Sequence, residues 1–144
     1  MRTLIDTNVL FAAASARDRY HDRASAIVSG IDTGGLPEAL VPDYVVAETM
    51  NLTRERLGAG VATDLLDRLT EGAYFEVVHT AQADFTAAKA LFRTYSGLSF
   101  VDATLVAYAD RQGIEVCYSF DDDLDVVPGL ARLDTATDPR SGAE

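Results

Sequence analysis

Short apolar, β-prone runs alternate with longer helical segments along this chain, and that alternation limits it to an α/β architecture with a parallel sheet. Strands are predicted at 3–5, 74–79, 114–119 and 131–133. Helices are predicted from about Asn8, capped by Thr7 or Asn8, and over 21–31, 42–57, 61–69, 80–95 and 99–112. Pro42 suits the first turn of the third helix, Thr80 the cap of the fifth, and Gly113 the stop of the last.

The length of 144 residues fits one domain with a real hydrophobic core. We expect that domain to span 1–134 and the polar segment 135–144 to be a flexible tail. The longest apolar stretch near the N-terminus, 9–14, is far shorter than the ~20 residues that cross a bilayer, so no membrane association is expected. No signal-peptide pattern is present, and the single Cys117 favours a reducing cytoplasm.

The charge balance is strongly acidic, with 23 Asp and Glu against 12 Lys and Arg and a net charge of −11. Such a charge repels nucleic acid at low salt, but at ~1 M salt the Debye length is only ~3 Å. One hypothesis is therefore that the protein comes from a salt-loving host, where this repulsion would be screened. Five arginines near the predicted site could hold phosphates or could simply balance nearby acids: Arg17, Arg19, Arg23, Arg54 and Arg56.

Four acidic residues fall at positions that recur in α/β sites. Asp6 ends the first strand, and Asp121 follows the strand 114–119, so both point into one crevice if these strands are neighbours. Asp102 lies in the first turn of a helix, where the helix dipole favours a carboxylate. Glu48 interrupts an otherwise apolar stretch of the third helix.

Each of these carboxylates alone has an ordinary explanation. Asp6 and Asp102 could be helix caps, Glu48 could extend to solvent, and the acidic run from 121 to 125 could be a solvated turn. Taken together, however, they would repel one another beside runs that should be buried. A hard divalent cation with oxygen ligands removes that conflict.

Four segments resemble, in order and spacing, the motifs of PIN domains: 4–10 (LIDTNVL), 41–49 (VPDYVVAET), 98–103 (LSFVDA) and 119–124 (SFDDDL). The resemblance covers nearly the whole chain and implies a PIN-like three-layer α/β/α fold around a central parallel sheet. It also implies a metal site made by Asp6, Glu48, Asp102 and Asp121, with Asp123 as a further candidate ligand. Which of the three aspartates at 121–123 binds the metal stays open. Thr7, Asn8 and Ser119 match the polar positions that support such a site.

Compact PIN domains are mostly VapC-type toxins of toxin–antitoxin pairs, so the resemblance implies a Mg²⁺- or Mn²⁺-dependent endoribonuclease. It further implies a small cognate antitoxin and a homodimer. The RNA target, the cleavage position and the number of metal ions are left open. So is a PIN-domain role in RNA processing or RNA binding without toxin activity.

Two other classes share part of the pattern. A haloacid-dehalogenase-like phosphatase also begins with a strand that ends in Asp, but it needs a second Asp where this chain has Asn8. A phosphorylated receiver domain needs an acidic pair after the first strand and a late lysine. The single lysine, Lys89, lies in the middle of a predicted helix and fits neither class.

Overall fold

The structure, a computed structural model, describes residues 1–140. It contains five strands: β1 (Arg2–Ile5), β2 (Glu38–Pro42), β3 (Phe75–Val78), β4 (Val116–Tyr118) and β5 (Ala131–Leu133). Six α-helices connect them: α1 (Thr7–Ala14), α2 (His21–Asp32), α3 (Asp43–Leu57), α4 (Ala59–Glu71), α5 (Gln82–Thr94) and α6 (Phe100–Gln112). A short 3₁₀ helix spans Asp122–Val126.

All five strands are parallel, in the order β3-β2-β1-β4-β5. The chain moves from β1 outward to β2 and β3, then returns to place β4 on the other side of β1. The direction of winding therefore reverses between β1 and β4. In open α/β sheets, the crevice at this reversal, beyond the carboxyl ends of the strands, is where ligands bind.

The core forms where both faces of the sheet are covered by helices. The central strands read as continuous apolar runs, and Leu4, Ile5, Leu40 and Tyr118 are fully buried. α1 packs on α2 and α3, while α5 packs on α6. The predicted α/β/α class with a parallel central sheet is confirmed.

The strand β2 was missing from the sequence prediction, which placed only a helix start in this region. Pro42 does not occupy the first turn of a helix; it ends β2 and is the N-cap of α3, with an extended ψ of 149°. β2 pairs with β1 and with β3, so the missed strand is a central one.

Two predicted helix caps were also wrong. The N-cap of α1 is Asp6, whose carboxylate accepts from the Thr7 amide, and neither Thr7 nor Asn8 caps it. The N-cap of α5 is Ala81. The Thr80 hydroxyl instead donates to Asp43 Oδ1 at 2.6 Å, which ties the end of β3 to the start of α3.

The described part of the predicted tail contacts the domain. Tyr118 Oη donates to the Thr137 carbonyl at 2.8 Å, and Arg140 Nη2 donates to the Gly35 carbonyl at 3.3 Å. The rest of the tail, 141–144, lies outside the described residues, so its flexibility stays a prediction. Within 1–140, none of the helices has the length and apolar character needed to span a membrane.

Candidate metal centre

The site lies at the reversal of strand order, where β1 and β4 end side by side. Ile5 is in register with Tyr118, and the Asp6 amide donates to the Tyr118 carbonyl at 3.0 Å. The next residues on the two strands, Asp6 and Ser119, therefore emerge together at the carboxyl edge of the sheet. β1 and β4 are therefore neighbours, which is the condition under which the sequence predicts Asp6 and Asp121 to share one crevice.

Asp6 is the most deeply placed carboxylate of the site, with 3% of its surface exposed. Its Oδ1 accepts from the Thr7 amide at 2.8 Å, and its Oδ2 accepts from Ser119 Oγ at 2.9 Å. Burial, followed by the negative charges of Asp102 and Glu48, raises the pKa of Asp6 to about 7 despite these hydrogen bonds. Ionisation of Asp6 is therefore unfavourable, because its carboxyl group is buried and near other acidic side chains.

Asn8 and Ser119 hold the Asp6 carboxylate in place. Asn8 Nδ2 donates to Asp6 Oδ2 at 3.3 Å and to Ser119 Oγ at 3.2 Å, while Asn8 Oδ1 accepts from the Phe120 amide at 3.0 Å. Ser119 Oγ also accepts from the Asp121 amide at 3.0 Å. The amide group of Asn8 therefore links the segment after β1 to the segment after β4.

Asp102 reaches the site from the N-terminus of α6. Ser99 Oγ accepts from the Asp102 amide at 3.0 Å, and Asp102 Oδ2 accepts from the Ser99 amide at 3.4 Å. This reciprocal capping box fixes the first turn. Burial, then the charge of Asp121 and to a smaller degree that of Glu48, raises the pKa of Asp102 to about 6. Asp102 is thus a capping residue and also an electrostatic neighbour of two other predicted site residues.

Glu48 is presented on the exposed side of α3. The helix is anchored beside the site by buried hydroxyls, since Thr49 Oγ1 donates to Thr7 Oγ1 at 3.2 Å and Thr7 Oγ1 donates to the Val45 carbonyl at 3.5 Å. The charge of Glu48 raises the pKa values of both Asp6 and Asp102, so Glu48 lies within electrostatic range of both carboxylates.

The three consecutive aspartates differ in where they lie. One carboxylate oxygen from each of Asp121, Asp122 and Asp123 lies within 4.8 Å of the others. Asp121 is the least exposed of the three, and its charge acts on Asp102. Asp121 Oδ1 accepts from the Asp123 amide at 3.0 Å, and the charge of Asp121 raises the pKa of Asp123. Asp122 instead interacts electrostatically with Arg132.

Among residues 1–140, the three acidic side chains whose oxygens all lie within 4.8 Å of one another are Asp121, Asp122 and Asp123, and Asp6, Glu48 and Asp102 are not part of that group. The side chains of the site do offer carboxylate oxygens, and two of these carboxylates, Asp6 and Asp102, are buried, with pKa values raised by burial and by neighbouring acids. A hard divalent cation prefers such oxygens and removes the repulsion between them. The donor chemistry of the site therefore fits a divalent metal ion.

Sequence reasoning missed two contributors to this region. Arg132 on β5 donates to the Ser119 carbonyl at 3.3 Å and pairs through Nε and Nη2 with Asp125 at 2.9 and 3.0 Å, which braces the 3₁₀ turn that carries the aspartates. Tyr20 stacks on Phe120, with ring centroids 4.5 Å apart. No local pattern marks either contact, because each joins residues brought together by the fold.

The family model of the PIN domain matches residues 3–130, so the chain belongs to the PIN domain family. This assignment sets aside the haloacid-dehalogenase and receiver-domain alternatives. A search among curated proteins finds no match to this sequence.

Solved structures with the same fold include the Mycobacterium tuberculosis VapC20 toxin, which cleaves the sarcin–ricin loop. It is 23% identical, with a TM-score of 0.77 over 89% of this chain and 96% of that one. A toxin–antitoxin complex from Klebsiella pneumoniae is 20% identical, with a TM-score of 0.64 over 94% of this chain and 98% of that one. VapBC-1 from nontypeable Haemophilus influenzae is 14% identical, with a TM-score of 0.66 over 93% and 98%.

Proposed function

We propose that this protein is a metal-dependent endoribonuclease and the toxin of a toxin–antitoxin pair. The observation that carries the proposal is the placement of two buried carboxylates, Asp6 and Asp102, at the reversal of strand order, where their pKa values respond to each other's charge or to the charges of Glu48 and Asp121. Membership of the PIN family and the likeness to VapC20 support RNA as the substrate.

The proposed metal ligands are Asp6, Asp102, Glu48 and Asp121, with Asp123 completing the set. Asp6 and Asp102 would supply the buried ligands. The exposed carboxylate of Glu48 faces solvent, where it can orient the attacking water. Thr7, Asn8 and Ser119 act as supporting residues; Asn8 and Ser119 donate hydrogen bonds that fix the Asp6 carboxylate, and Thr7 donates its amide.

Mg²⁺ or Mn²⁺ is the proposed cofactor, because both accept carboxylate oxygens and waters. A bound divalent ion supplies Lewis acidity toward the phosphate and toward the attacking water. The chain itself supplies fixed carboxylates at the floor of the site, so that little reorganisation is needed during hydrolysis of the phosphodiester bond.

The proposed partners are RNA, a small antitoxin and a second copy of the chain. The likeness to VapBC-1 and to the Klebsiella complex supports an antitoxin. A basic residue of such a partner would neutralise the acidic site electrostatically. We propose that the protein acts in the cytoplasm, in line with its single cysteine.

Cleavage of a mixed RNA pool tests the proposal. The wild type, Asp6→Asn and the matched surface control Asp67→Asn, which lies on the exposed face of α4, are compared in molar KCl with Mg²⁺, Mn²⁺ or EDTA. Metal-dependent cutting that Asp6→Asn abolishes and Asp67→Asn retains is the expected result. Cutting that survives in EDTA, or in Asp6→Asn, contradicts the proposal.

A further inference from the structure

An open groove of about 710 Å³ adjoins the acidic site and has Asp121 on its wall. Its other side chains include two rings and two arginines: Tyr20 from the loop before α2, Phe120 from the segment after β4, Arg19, and Arg56 from α3. The groove is of the size that small-molecule sites in proteins usually have. It therefore has room for a nucleotide next to the carboxylates.

The two rings form one stacked unit. The Tyr20 and Phe120 centroids are 4.5 Å apart and their planes differ by 20°, while the Arg19 guanidinium lies 4.6 Å from the Tyr20 centroid. Both rings are partly exposed, although each also packs against the hydrophobic core. Aromatic rings and guanidinium planes are the surfaces on which unpaired bases stack in RNA-binding proteins.

Phe120 is held at a fixed position relative to the proposed metal ligands. It lies between Ser119, which donates to Asp6, and Asp121. Its amide donates to Asn8 Oδ1, and the other end of the same Asn8 side chain donates to Asp6. A base stacked on this pair of rings would thus lie beside the proposed metal ligands, because Phe120 directly precedes Asp121 and is linked through Asn8 to Asp6.

Arg19 and Arg56 belong to the group of arginines in residues 1–140 that form no ion pair, together with Arg2, Arg17, Arg54 and Arg93. Five arginines elsewhere form ion pairs with aspartates: Arg23, Arg68, Arg111, Arg132 and Arg140. Across residues 1–140, neither Arg19 nor Arg56 has an acidic partner within 4 Å. In a chain with a net charge of −11, two such cations beside an acidic site are suited to bind phosphate.

We propose that Tyr20 and Phe120 form a platform for a nucleobase next to the scissile phosphate, and that Arg19 and Arg56 bind the neighbouring phosphates. The platform positions the substrate and takes no part in the chemical step. This inference rests on the proposed ribonuclease function and names the residues that would hold its substrate. The competing explanation is that the two rings only pack the loop before α2 against the end of β4.

Fluorescence of single-stranded oligoribonucleotides with 2-aminopurine at successive positions tests the platform. The Asp6→Asn protein serves as the parent, so that binding is read without cleavage. Stacking quenches the fluorophore at the position that occupies the platform. Phe120→Leu, which retains an apolar side chain but has no ring, should lose that quenching and about 5- to 150-fold in affinity. Phe120→Tyr should retain both within about threefold.

An RNA with an abasic residue at the quenched position makes the same test on the parent protein. The abasic RNA should bind the parent protein as weakly as intact RNA binds Phe120→Leu. Binding of the abasic RNA to Phe120→Leu should be only slightly weaker than either of these. This arm keeps the test decisive even if Phe120→Leu does not fold. The proposal is overturned if the parent protein binds intact and abasic RNA with equal affinity. It is also overturned if quenching persists in Phe120→Leu, or if no position of the RNA shows quenching.

The arginines are tested by the salt dependence of the same binding. Arg19→Gln and Arg56→Gln should each reduce the slope of log affinity against log salt by about 0.7, the value for one phosphate of a single strand. Arg93→Gln, on the exposed side of α5, is the matched control and should leave the slope unchanged. Equal slopes in all three variants would remove the phosphate contacts from the proposal. If the wild type cuts no RNA, the proposed ribonuclease function is refuted. The binding results, in contrast, test the platform alone.

Discussion

Asp6 combines deep burial with the nearby negative charges of Asp102 and Glu48. The hydrogen bonds from Ser119 and Thr7 favour its ionised form, yet the pKa still rises to about 7. Without a cation, ionisation of this residue therefore opposes folding. Functional sites often contain such unfavourable arrangements, which a bound ligand relieves.

The pH dependence of stability should reveal this conflict. The Asp6 carboxyl has a folded pKa of about 7 and an ordinary value of 3.8, so the folded state holds more protons between these values. The free energy of unfolding in EDTA should therefore fall from pH 5 to pH 8, by about 2–4 kcal/mol. Asp102, with a pKa of about 6, contributes in the lower part of this range.

Urea unfolding of wild type, Asp6→Asn and Asp67→Asn in EDTA at pH 5, 6 and 8 checks this prediction. Asp6→Asn should lose most of the decline between pH 6 and 8 and be more stable than wild type at pH 8. Asp67→Asn should behave as wild type. A wild type that is equally stable at pH 6 and 8 would show that Asp6 is not perturbed.

The acidic residues of the site could be predicted because each stands in a short local motif. Asp6 follows an apolar strand, and Asp102 follows a capping serine by three residues. The link through Asn8 could not be predicted, since it joins residues 112 positions apart. Contacts of that kind depend on which strands become neighbours, and no local pattern specifies that.

At the level of elements, α6 is fixed at both ends. The Ser99 capping box holds its first turn, which carries Asp102. Near its last turn, Arg111 donates to the buried carboxylate of Asp84 on α5 at 2.6 and 2.9 Å. This pairing, with the Ala81 amide, keeps the pKa of Asp84 below its usual value even though burial opposes that.

Arg111→Gln should destabilise the protein, because it leaves the Asp84 carboxylate buried without its cation. Loss of one partner of a fully buried pair costs about 3–5 kcal/mol. Since the Arg111 side chain is 38% exposed, we expect a smaller destabilisation than for a fully buried pair at pH 7. Because Asp84 has a lowered pKa, the difference between the variant and wild type should shrink as the pH falls below 4.

Urea unfolding combined with an RNA cleavage assay checks this second prediction, with Arg93→Gln as the control. RNA cleavage per folded molecule should change less than threefold, since Arg111 lies near the end of α6 opposite Asp102. A large loss of activity without a loss of stability would contradict the structural role of this pair.

Most helices and the other four strands could be predicted from periodicity, whereas β2 could not. Its apolar run, Ala39 to Val41, is too short to separate a buried strand from the start of a helix. The proline that follows also suits the first turn of a helix. This segment forms a strand because it pairs with β1 on one side and β3 on the other. That pairing depends on the tertiary structure and cannot be read from the local sequence.

At the scale of the whole molecule, the net charge of −11 opposes both compaction and the approach of RNA. Raising KCl from 0.1 to 1 M shortens the Debye length from ~10 to ~3 Å. We therefore expect the unfolding temperature to rise by several degrees over this range, with cleavage activity retained at 1 M.

A variant with fewer surface acids separates charge screening from general salt effects. Three exposed acids of α4 are suitable for replacement by amides: Asp64, Asp67 and Glu71. The triple variant should gain less from added KCl than wild type does. An equal gain in both proteins would mean that repulsion among surface acids is not the cause, and would weaken the case for a salt-loving host.

The proposed ribonuclease activity requires Asp6, Glu48, Asp102 and Asp121 to form one metal site. Calorimetric titration of Mn²⁺ into the metal-free protein at pH 8 tests this directly. Amide replacement of any of the four should weaken binding at least tenfold, because even supporting residues of metal sites contribute that much. Asp67→Asn should bind as wild type does. If wild type does not bind Mn²⁺, or if Asp6→Asn binds it with unchanged affinity, the proposed metal centre is wrong.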